Sequence, residues 1–181
     1  MKKDTLIVNL IGGPGAGKTT SMAGIFNKLK CQGIDAEMVS EFAKELIYEN
    51  RKDTMKDELY IFAKQSHRLF CVNGKVDVIV TDRPLILTVL FNNLYGKKSK
   101  ELDDLVLSEF KEYNNFNFFI NRVNPYQTNG RNETEELSDK IAIGLKQILV
   151  NNDIEYETLD ANENVVDIIV DKIIKKLESV N

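Results

Sequence analysis

The stretch "NLIGGPGAGKTT", residues 9–20, constrains this chain more than any other. It sets four of the ten glycines (Gly12, Gly13, Gly15 and Gly17) within six residues and follows them with Lys18, Thr19 and Thr20. Glycine costs backbone entropy, so such a cluster marks a sharp turn or a close approach of main chain to ligand. The apolar run "TLIVNLI" (5–11) before it suits a strand buried on both faces. After it, Met22, Ile25, Phe26 and Leu29 recur at helical spacing, with Gly33 as a stop. A bend between strand and helix that fits G-x-x-x-x-G-K-[ST] from Gly12 to Thr19 can curve successive backbone N–H groups around phosphate oxygens. The helix start near Gly17 adds free amides and a positive dipole end. Lys18 then neutralises the β- and γ-phosphates and Thr19 offers its hydroxyl to Mg²⁺. Motif and context together predict a nucleoside triphosphate, ATP, cradled by Gly13, Gly15, Ala16, Gly17, Lys18, Thr19 and Thr20.

Downstream, strands and helices alternate. "DAEMVS" (35–40), "VDVIVTD" (76–82), "FNFFIN" (116–121) and "IEYETLD" (154–160) read as further strands. Helices are predicted over "EFAKELIYEN", "TMKDELYIFAKQSHRLFCV", "SKELDDLVLSEFKEYN", "ETEELSDKIAIGLKQILV" and 163–178, with Pro84 opening another. The order predicts an α/β fold, a three-layer α/β/α sandwich with about five parallel strands. Residues 1–181 are expected to form a single domain, with a polar lid-like loop near 122–134 that is too short to divide it.

Composition narrows the class. Hydrophobic residues make up 43% and charged residues 29% of the 181, the balance of a globular protein with a sizeable core. Net charge is −4, giving no overall attraction to nucleic acid or anionic membrane. Cys31 and Cys71 are isolated and His67 is the only histidine, which argues against disulfides or a zinc site and predicts buried thiols in a reducing compartment. The apolar run at the N-terminus is short, holds Asn9 and ends in glycines, unlike a signal peptide. No segment has the length of a membrane span. The expected setting is the cytoplasm.

The phosphate loop is shared by GTPases, motor-like ATPases and small-molecule kinases, so other residues must separate them. A guanine-reading N-K-x-D is missing, since Asn27–Lys28 runs on into Leu29 and Lys30 inside the first helix. A ring-forming ATPase usually carries a separate helical lid domain in a longer chain. The remainder resembles the small-molecule P-loop kinases. "VDVIVTDRP" ends a strand with Asp82–Arg83 and resembles the "DR" segment of thymidylate and deoxynucleoside kinases, although "DRP" departs from their "DRY" and "ERS" forms. "SEFAKEL", "FAKQSHR" and "DVIVTDRPLI" together resemble the nicotinamide riboside kinase branch, and similar segments occur in phage-type kinases acting on nucleotides or on hydroxymethyluracil in DNA. The resemblance covers most of the chain and implies transfer of a phosphoryl group from Mg·ATP to a nucleoside, nucleotide or similar acceptor. It implies that Glu41, just after the second strand, faces the acceptor hydroxyl.

The sheet supports that placement independently, because ligands of a parallel sheet sit beyond the carboxyl ends of its strands. Gly12–Thr19, Glu41, Asp82–Arg83 and the loop from Arg122 all follow strand ends. Asp82 either holds Mg²⁺ through water, beside Thr19, or acts as the base with Glu41 assisting. Gln65 and Arg68, three residues apart on one helix, suit a base edge and a phosphate of the acceptor, or else a plain surface. Arg122 and Arg131 flank the polar loop and suit either closure over phosphates or solvation. Asn162, with Ala161, is expected to border the adenine. Glu45 reads as a solvated charge, His67 as an ordinary, partly exposed histidine, and Leu59, Phe62, Ala63, Leu69 and Phe70 as core. Two further readings stay open. A regulatory ATPase would change partner binding without an acceptor. A kinase of hydroxymethylated pyrimidine in DNA would need clustered cations, for which "YGKKSK" (95–100) is the one small candidate. A homodimer is compatible with every reading.

Overall fold

The computed structural model describes residues 4–127 and 133–179. They form one sheet of five parallel strands between two layers of helices, in the order β2-β3-β1-β4-β5. Strand β1 (Leu6–Ile11) leads through the glycine bend into α1 (Lys18–Cys31) and then to β2 (Ala36–Val39) at one edge. Helices α2 (Ala43–Tyr48) and α3 (Glu58–Val72), with a 3-10 turn at Thr54–Lys56 between them, return the chain to β3 (Val78–Thr81) beside β1. Helices α4 (Leu87–Leu94) and α5 (Lys100–Lys111) cross to β4 (Asn114–Asn121) on the other side of β1. Then α6 (Glu135–Asn151), the edge strand β5 (Glu157–Asp160) and α7 (Val165–Glu178) complete the order.

The continuous apolar runs are explained by burial on both faces. Leu6, Val8, Leu10, Val78, Val80, Phe118 and Ile120 meet α1 and α7 through Met22, Ile25, Leu29 and Ile169. Ile7, Ile11, Ile79 and Phe119 meet α3 to α6 through Leu69, Val89, Val106 and Leu145. The odd-numbered face of β1 also carries a polar residue. Buried Asn9 donates through Nδ2 to Asn115 Oδ1 (2.7 Å) and Asn117 Oδ1 (2.8 Å), tying β1 to β4 inside the layer. Helices α1 and α7 lie close because Gly24 has no side chain: a Cβ there would stand 2.9 Å from Val166 Cγ2.

Several expectations need correction. The long helix expected over 54–72 breaks at Asp57, whose carboxylate accepts from the Tyr60 amide (3.2 Å) and caps α3. Pro84 precedes its helix by a turn, as α4 begins at Leu87. In α3 the buried stripe is Glu58, Ile61, Phe62, Gln65 and Leu69. Leu59 (58% exposed) and Phe70 (72%) lie off it, and Ala63 is exposed too. The period was right and the phase was wrong, because two polar residues hold core positions. Both thiols, Cys31 and Cys71, are exposed rather than buried. Among the described residues no helix is long and apolar enough to cross a membrane.

Candidate functional site

The glycine bend closes against its surroundings so tightly that side chains are excluded. A Cβ on Gly13 would fall 2.7 Å from the Ser138 carbonyl oxygen, and Ser138 Oγ on α6 donates to the Pro14 carbonyl at 2.6 Å. Gly17 caps α1 with φ +84°, a left-handed backbone that glycine adopts without a Cβ penalty. Lys18 Nζ donates to the carbonyls of Gly12 (2.8 Å) and Gly13 (2.9 Å), which sets its charge across the loop.

Beyond the ends of β2 and β3 the carboxylates gather. Asp82, buried at the end of β3, accepts the Thr19 hydroxyl on Oδ2 (2.6 Å) and the Glu41 amide on Oδ1 (3.0 Å). Arg83 reaches past it: one terminal nitrogen lies 2.9 Å from Glu41 Oε1, the other 3.4 Å from Glu58 Oε2. The Phe91 ring covers the guanidinium face at 4.6 Å. Glu58 is 4% exposed, and burial pushes its carboxyl up to about 7 against the opposing pull of Arg83; Glu41 and Asp57 add to the rise. Burial, with Glu133 assisting, also raises the Tyr95 hydroxyl. These groups and the phosphate loop line a cavity of about 220 Å³, whose walls include Lys44, Ile47, Tyr48, Met55, Ile61, Leu87, Phe91, Tyr95 and Glu133.

A second cavity, of about 750 Å³, opens on the other side of the phosphate loop between Gly15–Gly17, Thr20, Arg122–Asn124 and Ala161–Val166. Asn162 and Ala161, expected beside the adenine, line this cavity together with the phosphate loop. Arg122 is at this cavity but is bound to α6, in ion pairs with Glu135 and, at 2.5 Å, Asp139. The hydrogen bond that Arg122 donates to Glu135 raises its proton affinity further. Arg131 lies outside the described residues.

Gln65 and Arg68 are placed differently from the expectation that they face an acceptor. Neither lines the cavity. Gln65 is 1% exposed, its Oε1 accepting from the Phe42 amide (3.1 Å) and its Nε2 donating to the Ser40 carbonyl (3.3 Å). Arg68 donates to the same Ser40 carbonyl (3.1 Å) and pairs with Glu45. Gln65 thus binds the backbone on both sides of Glu41 and Arg68 binds it on one, so α3 fixes that segment from behind. His67 is exposed, its ring stacked on Phe70 with centroids 6.5 Å apart. Sequence reasoning missed Glu58, Lys44, Phe91, Tyr95 and Glu133. Glu58 looks like one more acid in a helix first turn, where acids are ordinary, and nothing local distinguishes it.

The donor set suits a magnesium ion. Among the described residues no cluster of three or more His, Cys, Asp or Glu forms an all-protein cage. Mg²⁺ prefers one or two protein oxygens with phosphate and water completing its shell, and the Thr19 hydroxyl beside the Asp82 carboxylate offers that pair.

Comparison with known proteins gives the same architecture. No curated protein sequence matches significantly. A solved structure of the NadR protein in complex with NR superposes with a TM-score of 0.66 at 18% identity, covering 98% of this chain and 53% of that one. The chain thus spans about half the length of that NadR protein. Thymidylate kinase from Ehrlichia chaffeensis superposes with a TM-score of 0.62 at 13% identity, covering 96% and 98% of the two chains. Likeness at these identities shows a shared fold, that of the P-loop kinases. A family model described as "AAA domain" matches residues 7–164, from the second residue of β1 to the cap of α7. On a match over that much of its length, the chain belongs to the AAA domain family, as a P-loop nucleotide protein with a kinase-like fold.

Proposed function

We propose that the protein is an ATP- and Mg²⁺-dependent phosphotransferase acting on the hydroxyl or phosphate of a nucleoside, nucleotide or similar acceptor. The observation that carries the reading is Glu41, a half-buried carboxylate held by Arg83 at 2.9 Å and lining one cavity with the phosphate loop and Asp82. A switch that only hydrolyses nucleotide needs such a group to orient one water, whereas the cavity of about 220 Å³ that Glu41 lines has room for a larger acceptor. Bound Mg·ATP supplies the γ-phosphoryl group and its charge neutralisation: an acceptor O–P bond forms, the bond to the β–γ bridging oxygen breaks, and ADP leaves. Lys18 neutralises charge on the phosphate chain. Thr19 and Asp82 hold the metal. Asp82 has one oxygen engaged by Thr19 and the other by the Glu41 amide, which leaves Glu41 as the better base for the acceptor proton. Arg83, 2.9 Å from Glu41 Oε1, keeps that carboxylate in register. The larger cavity, with Asn162 and Arg122, takes the ATP base.

The test is ATP turnover by the full chain with and without a pool of nucleosides and nucleotides. Stimulation by an acceptor, with a phosphorylated product, supports the kinase. The AAA domain match favours one second reading, a regulatory ATPase. Stimulation only by a macromolecule, without any phosphorylated product, would favour it.

A further inference from the structure

Resting on the kinase reading above, we infer that the smaller cavity serves an acceptor that brings no phosphate: a neutral or cationic nucleoside-like hydroxyl compound, and not a nucleotide. A cavity that binds an acceptor phosphate needs cations free to fork onto it, typically guanidinium groups. Among the described residues three cationic side chains line this one, Lys18, Lys44 and Arg83. Lys18 is bonded to the carbonyls of Gly12 and Gly13 and belongs to the phosphate loop. Arg83 is buried with both terminal nitrogens on carboxyl groups, Glu41 at 2.9 Å and Glu58 at 3.4 Å, and with one face under Phe91. Its charge and its fork are spent inside the protein.

Lys44 is half-buried and makes no ion pair among the described residues, yet it stands alone against Glu41, Asp82 and Glu133 on the same walls. A phosphate carrying nearly two negative charges would meet those acids with no uncommitted guanidinium among the described residues to receive it. The rest of the lining suits an aromatic heterocycle. Phe91 and Tyr95 stack on one another, with centroids 6.0 Å apart, along one wall, and Ile47, Ile61 and Met55 make up others. Glu58 is the residue that specifies this: as the second carboxyl group on Arg83, it removes the cation a nucleotide would use.

The experiment gives the full chain Mg·ATP with the common ribo- and deoxyribonucleosides and nicotinamide riboside, and in parallel with the 5′-monophosphate of each. Phosphorylated product is followed, and acceptor binding is measured by equilibrium dialysis. We expect at least one nucleoside to be phosphorylated, its monophosphate having a kcat/KM lower by about 100-fold or more. Glu58→Gln should narrow that ratio by roughly tenfold, chiefly through tighter monophosphate binding. If that variant does not fold, the wild-type ratio still decides. Equal or better use of a monophosphate overturns the inference and leaves the kinase standing. Transfer only to duplex DNA containing hydroxymethylated pyrimidine also overturns it, since that acceptor is a polyanion. Transfer to nothing, with ATP bound, removes the kinase reading and this inference with it.

Discussion

Lys18 spans the phosphate loop on the carbonyls of Gly12 and Gly13, which sets its charge where the phosphates would lie. Lys18→Ala is therefore expected to cut phosphoryl transfer by at least about 100-fold while leaving the melting temperature essentially unchanged. Near-normal transfer by the folded variant would remove the site. Glu41 and Asp82 touch through the Glu41 amide but face different partners, Arg83 and Thr19. In a magnesium titration, Glu41→Gln should lose about 100-fold in kcat with Mg·ATP affinity preserved, and Asp82→Asn should demand more magnesium. Full transfer by Glu41→Gln at every magnesium level would make Asp82 the base. Glu58 has a signature in stability. Its carboxyl moves from an ordinary 4.5 to about 7 on folding. Between those pH values the folded chain keeps a proton that the unfolded chain has released, so this group's contribution falls as pH rises through the window. Glu58→Gln does not titrate. Its melting temperature relative to wild type should be higher at pH 8 than at pH 4.5, by the equivalent of a few kcal/mol. A pH-independent difference would show that the raised proton affinity is wrong.

Helix α3 does most of its work from the side facing away from the cavity. Gln65→Leu leaves the buried Phe42 amide without its partner, worth roughly 1–3 kcal/mol, and leaves the Ser40 carbonyl to Arg68 alone. We expect lower stability in urea and a fall in transfer out of proportion to Mg·ATP binding, because the residue between those two backbone groups is Glu41. Stability loss with unchanged kcat would make Gln65 a core residue only. This helix also marks how far the sequence could be read. The strand–glycine–helix entry, the five strands and the convergence of Glu41 and Asp82 at their ends followed from apolar runs and the parallel-sheet rule, which are local or topological. The phase of α3 did not follow, because Glu58 and Gln65 occupy its buried stripe while Leu59 and Phe70 face water. A polar residue that is buried because a distant backbone or Arg83 satisfies it leaves no trace in its own neighbourhood. Arg122 is similar: a loop arginine in the sequence, it is committed in the fold to Glu135 and Asp139 of α6.

The sheet joins its halves through β1, and Asn9 is where that joint is polar. Asn9→Leu fits the apolar pattern better by sequence, yet it leaves the side-chain oxygens of Asn115 and Asn117 without their donor. The expected result is a loss of roughly 2–4 kcal/mol by equilibrium unfolding, with the phosphate loop unaffected in nucleotide binding. An unchanged or raised stability would show that the amide cluster is dispensable. The two helical layers are equally unequal in how they touch the site. On the α1–α7 side, a bare backbone at Gly24 lets α7 settle against α1, and the neighbouring Val165 and Val166 form a wall of the larger cavity. Gly24 thus works as a shim of zero thickness. The width of a cleft bordered by the loops after β4 and β5 is set by a missing methyl group in the middle of a helix that contributes no side chain at that point.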